Sequence, residues 1–172
     1  MFELTEEQNM IKATAKEFAD KELAPKAAEV DKKKIFPRQA MKKMAEMGFL
    51  GMLIPEKYGG TQLGNFCLVL TLEEINRVCA STGITLSVHN SLATSPIVRH
   101  GNEALKQKYL PRLASGELLG AYGLTEPNAG SDASAIETTS KAALIEELLE
   151  ETKATLVHKI GLTVTIYKGR LS

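Results

Sequence analysis

Ala121-Tyr122-Gly123-Leu124-Thr125-Glu126-Pro127-Asn128-Ala129-Gly130-Ser131-Asp132 is the stretch on which the reading of the fold turns. Asn128, Gly130, Ser131 and Asp132 are residue types that turns favour, and Pro127 cannot continue a helix. Residues 1–118 carry helical periodicity, and the loop at Tyr122 is where that character changes. A loop of this composition exposes several backbone N–H groups, which together with hydroxyls cradle an anion or a polar ring. Consecutive N–H groups at Gly130 and Ser131 can hold a pyrophosphate oxygen, with Ser131 Oγ as a further donor. Thr125 donates and accepts through its side chain, and Tyr122 offers a flat apolar face. Glu126 reads either as a general base or as a carboxylate accepting structural hydrogen bonds, and the structural role is favoured. Taken alone, such a segment is most often a plain connection.

Upstream, the pattern predicts an all-helical domain of roughly five helices joined by the short connections usual in bundles. Thr5 with Gln8 forms a capping-box pattern, followed by an apolar stripe of Ile11, Ala15, Phe18 and Ala19 with Leu23 at its edge. Pro25 interrupts that helix, and Ala24 to Lys34 resumes it with a charged surface. Pro37 suits the first position of a second helix carrying Met41, Met44, Ala45 and Met47, which Gly48 ends. Phe49 to Ile54 is a short apolar run, either a buried connector or a strand, stopped by a turn at Gly59-Gly60. Asn65 is placed to cap a third helix with Leu68, Leu72, Ile75 and Cys79 on one face. Gly83 separates it from Ile84 to Arg99, apolar on most sides and therefore expected as a central buried helix. Gly101-Asn102-Glu103 ends one helix and starts another, whose inner face is Leu105, Tyr109, Leu110 and Leu113. Gly116 and Gly120 close the helical region.

Composition narrows the class. Hydrophobic residues make up 44% and charged residues 24%, as in ordinary globular proteins. Lys plus Arg number 21 and so do Asp plus Glu, so nothing argues for non-specific nucleic-acid binding. No apolar run approaches the ~18 residues of a membrane span. The acidic start, Glu3 to Glu7, lacks the apolar core of a secretory signal and the Arg-rich character of a transit peptide. Cys67 and Cys79 lack metal-ligand spacing and read as buried small hydrophobes of a reducing compartment. Bacterial cytoplasm or an organelle matrix fits that reading. No metal site is expected.

Gly123-Leu124-Thr125-Glu126-x-x-Ala129-Gly130-Ser131-Asp132-x-x-Ala135 resembles the first family motif of the acyl-CoA dehydrogenases. Other segments resemble that family in order. They are Ile54-Pro55-Glu56-Lys57-Tyr58-Gly59-Gly60, Glu73-Glu74-Ile75 with Cys79, Ser87-Val88-His89-Asn90-Ser91-Leu92, His100-Gly101 through Lys108-Tyr109-Leu110-Pro111, and Leu113-Ala114-Ser115-Gly116-Glu117. The resemblance covers residues 2 to about 139. It implies a mainly α fold: an acyl-CoA dehydrogenase-like N-terminal helical bundle over 1–118, and the start of a middle β domain over 119–139.

The resemblance also implies a cofactor, FAD, lying along Tyr122 through Ser131. Leu124 and Thr125 would be near its ring system, Gly130 and Ser131 at its phosphates, and Ser131 near bound acyl-CoA as well. His89 and Asn90 fall on a helix facing the acyl pocket in this family, with a packed core position an equal reading for His89. The implied reaction is α,β-dehydrogenation of a short or branched acyl-CoA. A carboxylate removes the α proton, the β hydride moves to the flavin, and hydrogen bonds polarise the thioester carbonyl. Electrons would pass to an electron-transfer flavoprotein.

After Thr139 the resemblance lapses. Ser140 to Thr152 shows an amphipathic helix pattern with Leu144, Ile145, Leu148 and Leu149 on one side, and Leu162 to Tyr167 alternates as a short strand. The divergent α/β tail, 140–172, implies a truncated gene or a frameshift near residue 140. No catalytic base is assigned in this chain, and low activity alone is expected. A bundle without its usual neighbours should leave apolar faces exposed, the Ile84 to Val98 helix among them. The alternatives are a non-catalytic helical protein pairing with a complementary chain, a homo-oligomer, or one half of a split enzyme.

Overall fold

A computed structural model describes residues 3–135 and 137, together with the backbone of two strands at 154–158 and 163–167. Helix α1, Glu6–Phe18, starts at the predicted capping box. Thr5 Oγ1 accepts from the Gln8 N–H at 3.2 Å while Gln8 Oε1 accepts from the Thr5 N–H at 3.0 Å. The helix widens into a π-helical turn, Ala19–Leu23, before the break at Pro25, and α2, Ala27–Lys33, follows with no buried residue. Ala15, Phe18, Ala19 and Leu23 are buried as the stripe predicts.

Helix α3, Arg38–Glu46, begins one residue after Pro37, and its Met41 and Met44 are fully buried. Met47 caps its C-terminus and is 38% exposed, which corrects its inward placement. Gly48 adopts φ +79°, a left-handed conformation that ends the helix. The Phe49 to Ile54 run is a buried connector containing a 3₁₀ turn, Phe49–Gly51, and no strand.

Helix α4, Gly64–Val78, packs along α1. Asn65 lies inside its first turn instead of capping it, and no side chain caps α4. Polar pairs lace the α1–α4 face. Lys12 Nζ meets Glu73 at 2.8 Å, and Arg77 bridges Asp20 at 2.6 Å and the buried Glu74 at 3.1 Å. Glu74 is 7% exposed and has Arg77 and Lys12 as ion-pair partners, so removing them leaves a buried carboxylate without compensation.

The predicted break at Gly83 is displaced. The chain leaves the helical region at Cys79 (φ −145°, ψ 95°), and Gly83 sits inside α5, Ala80–Ser87. Gly83 serves close packing there, because a Cβ would overlap the Asn76 side chain of α4. Helix α5 runs into a π-helical segment, Val88–Thr94, and then α6, Ser95–His100. Leu86, His89, Asn90, Ala93, Thr94 and Ile97 face inward, but Ile84 is 61% exposed and Leu92 40% exposed. The segment is therefore two-sided, which corrects the expectation of burial all round. Asn102 caps α7, Glu103–Ala114, accepting from the Leu105 N–H at 2.9 Å.

Two apolar clusters result. One joins α1, α3, α4 and Leu86. The other joins Ile54, Tyr58, Ala93, Ile97 and the inner face of α7. Cys67 and Cys79 are free and lie in the first cluster. The Cys79 sulfur also shares hydrogen bonds with Thr82 Oγ1 (3.1 Å) and Ser81 Oγ (3.4 Å). Burial pushes that thiol's pKa up, but these hydrogen bonds outweigh it and the net displacement is downward.

Strand β1, Leu119–Gly123, is central to the site. It pairs antiparallel with β3, Thr163–Tyr167, which pairs antiparallel with β2, Ala154–His158, in the order β1-β3-β2. The strand expected at Leu162 to Tyr167 is thus present. The strand at Ala154–His158, which contains His158, had no signal in the sequence reading. The amphipathic pattern of Leu144, Ile145, Leu148 and Leu149 lies outside the described residues. No helix among the described residues is long and apolar enough to cross a membrane.

Candidate functional site

The decisive segment is built on β1. Tyr122 and Gly123 belong to that strand, so the loop begins at Leu124, two residues later than the sequence places it. Gly120 and Tyr122 are half-buried while Ala121 and Gly123 are exposed, the alternation of a strand laid on a support. The support is the helical bundle, and Tyr122 packs on the second apolar cluster. Its ring is therefore engaged on one side by protein, and only a partial face remains for a ligand ring.

Beyond the strand the chain makes a tight turn. Glu126 N–H donates to Ala129 O at 3.0 Å and Ala129 N–H returns to Glu126 O at 3.2 Å, with Pro127 and Asn128 at the exposed tip. The Glu126 carboxylate accepts from the Glu137 N–H at 2.9 Å, the structural role favoured from sequence. Asp132 Oδ1 accepts from the Ser134 N–H (3.1 Å) and hydroxyl (2.8 Å), which ties down a 3₁₀ turn at Ala133–Ala135. The segment is thus fixed at both ends. Between those fixed points Thr125, Gly130 and Ser131 are exposed. A Cβ at Gly130 would meet nothing within 4 Å, so open space lies beside the backbone there. Exposed consecutive amides with space beside them are what an anionic oxygen requires.

A groove of about 480 Å³ opens beside β1. It is lined by Phe36, Arg38, Ile84, Thr85, Val88 and Leu119 to Ala121 and is mostly apolar, with Arg38 its one charged residue. The volume lies within the roughly 300–1,000 Å³ of small-ligand pockets. The sequence expects exposed apolar faces on the Ile84 to Val98 helix, and Ile84 and Val88 supply part of this lining; Ile84, Val88 and Leu92 recur at i, i+4, i+8 on the side opposite the core stripe.

His89 is fully buried in the π-helical segment. Its Nδ1 accepts the Gly120 N–H at 3.1 Å. Burial lowers its pKa to about 4, against the opposing pull of the Leu113 and Leu50 carbonyls. Neither carbonyl completes a hydrogen bond at Nε2. The imidazole is therefore neutral with its proton on Nε2. Neighbouring Asn90 donates to Phe49 O (2.9 Å) and Leu86 O (3.2 Å). Neither residue lines the groove and both are fully buried, which is the packed core alternative given for His89. Among the described residues no group of three or more His, Cys, Asp or Glu side chains is arranged to hold a metal.

Residues 5–117 match the family model described as the acyl-CoA dehydrogenase, N-terminal domain. The short-chain specific acyl-CoA dehydrogenase of Clostridium acetobutylicum is 45% identical over 139 residues, which are 81% of this chain and 37% of that relative. A solved structure from work on the electron transferring flavoprotein of Acidaminococcus fermentans and flavin-based electron bifurcation superposes with a TM-score of 0.77 at 48% identity. It covers 83% of this chain and 38% of its own. An acyl-CoA dehydrogenase from Bacillus anthracis, solved in complex with FAD, gives a TM-score of 0.73 at 38% identity, covering 79% of this chain and 23% of that one. The chain belongs to the acyl-CoA dehydrogenase family. It spans little more than a third of the length of the curated relatives it matches.

Proposed function

We propose that this chain is the N-terminal portion of an FAD-dependent dehydrogenase acting on short or branched acyl-CoA thioesters. The observation that carries the reading is the double role of β1. One strand both lines the apolar groove and delivers the Leu124 to Ser131 segment, in which Thr125, Gly130 and Ser131 are exposed. FAD, when bound, supplies the two-electron acceptor for α,β-dehydrogenation. The N–H groups of Gly130 and Ser131 and the Ser131 hydroxyl bind its phosphates. Thr125 and Leu124 orient its ring, and Tyr122 contributes the part of its face that the bundle leaves open. Ser131 also approaches the acyl-CoA. The groove between Ile84, Val88 and Leu119 excludes water from the acyl chain. None of the described carboxylates is assigned as the base for the α proton, and Glu126 is committed to the Glu137 N–H. Electron delivery to an electron-transfer flavoprotein belongs to the same proposal.

The test is titration of the purified chain with FAD, followed by flavin fluorescence polarisation, with and without a four-carbon acyl-CoA. Saturable binding that Ser131→Ala weakens about tenfold, as loss of a phosphate hydrogen bond predicts, supports the assignment. Absence of binding, or binding indifferent to Ser131, refutes it. A second reading, pairing with a complementary chain or another copy, is favoured by the exposed side chains of Ile84 and Leu92. Sedimentation velocity of the chain decides it: a concentration-independent monomer rejects that pairing with itself.

A further inference from the structure

Gly120 lies directly on the π-helical segment Val88–Thr94. A Cβ there would overlap the Ala93 methyl, so only glycine lets the strand backbone come this close. The approach brings the Gly120 N–H to His89 Nδ1, joining residues 31 positions apart through one hydrogen bond. The acceptor is screened from solvent, since His89 is fully buried, while Gly120 is half-buried. β1 is the last element before the Leu124 to Ser131 segment, which otherwise holds itself together by its own short-range contacts at Glu126, Ala129 and Asp132. Whatever fixes β1 on the bundle therefore fixes where that segment is presented.

We propose that His89 is a positioning residue: by accepting the Gly120 N–H through Nδ1 it anchors β1 to the helical bundle and sets the placement of the Leu124 to Ser131 segment. That the segment placed is the flavin-holding one rests on the preceding reading. The alternative partner for that N–H is solvent, which the strand reaches only by moving off the bundle, and leaving the donor unpaired in place costs free energy. His89 is fully buried and does not line the groove, so its bond to β1 is the route by which it acts on the segment beyond. With Nδ1 accepting the Gly120 N–H, the proton of the neutral ring sits on Nε2, which has no hydrogen-bond partner among the described residues.

Three measurements on the whole chain test this. Nitrogen-15 shifts of the His89 ring should show Nδ1 unprotonated and Nε2 protonated; the opposite tautomer overturns the proposal. His89→Leu keeps bulk but removes the acceptor, whereas His89→Asn places an oxygen where Nδ1 stood. Amide exchange at Gly120 and through 121–131 should rise about tenfold or more in His89→Leu and return toward wild type in His89→Asn, with α4 and α7 unchanged. Unchanged exchange at Gly120, or an equal rise in α4 and α7, overturns the proposal. Where the wild type binds FAD, His89→Leu should weaken that binding about tenfold and His89→Asn should restore most of it. Equal affinity of all three overturns it. If the wild type does not bind FAD, the cofactor reading falls and the exchange comparison still decides the junction.

Discussion

Lowering the pH from 7 to 5 should destabilise this chain through His89, and the size of the effect follows from its environment. The imidazole is fully buried and its pKa falls from 6.5 to about 4, chiefly through desolvation of the charged ring. The unfolded chain therefore binds a proton that the folded chain refuses between those values. Stability from this group is fully present above pH 6.5, and it declines as pH falls through the interval toward 4. The whole interval corresponds to about 3 kcal/mol at 1.36 kcal/mol per pH unit, of which about 2 kcal/mol is lost between pH 7 and pH 5. That is a large share of the ~5–15 kcal/mol typical of a domain. To isolate this one group the measured quantity is a difference: urea unfolding of wild type against His89→Asn at half-unit pH steps. The gap between the two should narrow by about 2 kcal/mol in favour of the variant on going from pH 7 to pH 5. A gap independent of pH would refute the claim that His89 is held neutral inside the fold.

Other outcomes follow from single contacts. Gly120→Ala should lower stability by about 1–3 kcal/mol through overlap with Ala93. Adding Ala93→Gly should recover part of that loss, read by thermal unfolding of the single and double variants. Gly60→Ala drives a methyl into the backbone carbonyl of Ile54, a neighbour that cannot swing aside, and should prevent recovery of folded protein or lower its midpoint sharply. Thr5→Ala removes the reciprocal cap of α1 and should cost about 1 kcal/mol in urea unfolding, with no effect on amide exchange in α7. Val88→Phe fills the groove beside β1 and should weaken acyl-CoA binding while leaving FAD affinity within about twofold, measured by calorimetry with each ligand.

Local chemistry made much of this chain legible. The Thr5 and Asn102 caps, the left-handed Gly48 and the break at Pro25 depend on neighbours within a few residues, so the sequence states them directly. Apolar stripes at helical spacing likewise identified Ala15, Phe18, Leu68, Ile75 and Leu110 as core, because one face of a helix is fixed by a period of 3.6 residues. The order of segments from Ile54 to Asp132 carried the family, and turn-favouring composition marked Thr125, Gly130 and Ser131 as the exposed residues they are.

What only the tertiary structure decided are contacts between distant positions. Periodicity made the Ile84 to Arg99 segment apolar on most sides, but it could not say that Ile84 and Leu92 would face outward beside β1. It placed the helix break at Gly83, whereas Gly83 is a small residue because α4 and α5 approach there, and the chain turns at Cys79. Tyr122 was read as a loop residue, yet pairing with β3 extends a strand through Gly123. The pairing of His89 with Gly120 has no sequence signature at all. A hydrogen bond spanning 31 residues arises from how two elements pack, and packing is set by the sum of many side-chain volumes instead of by any local pattern.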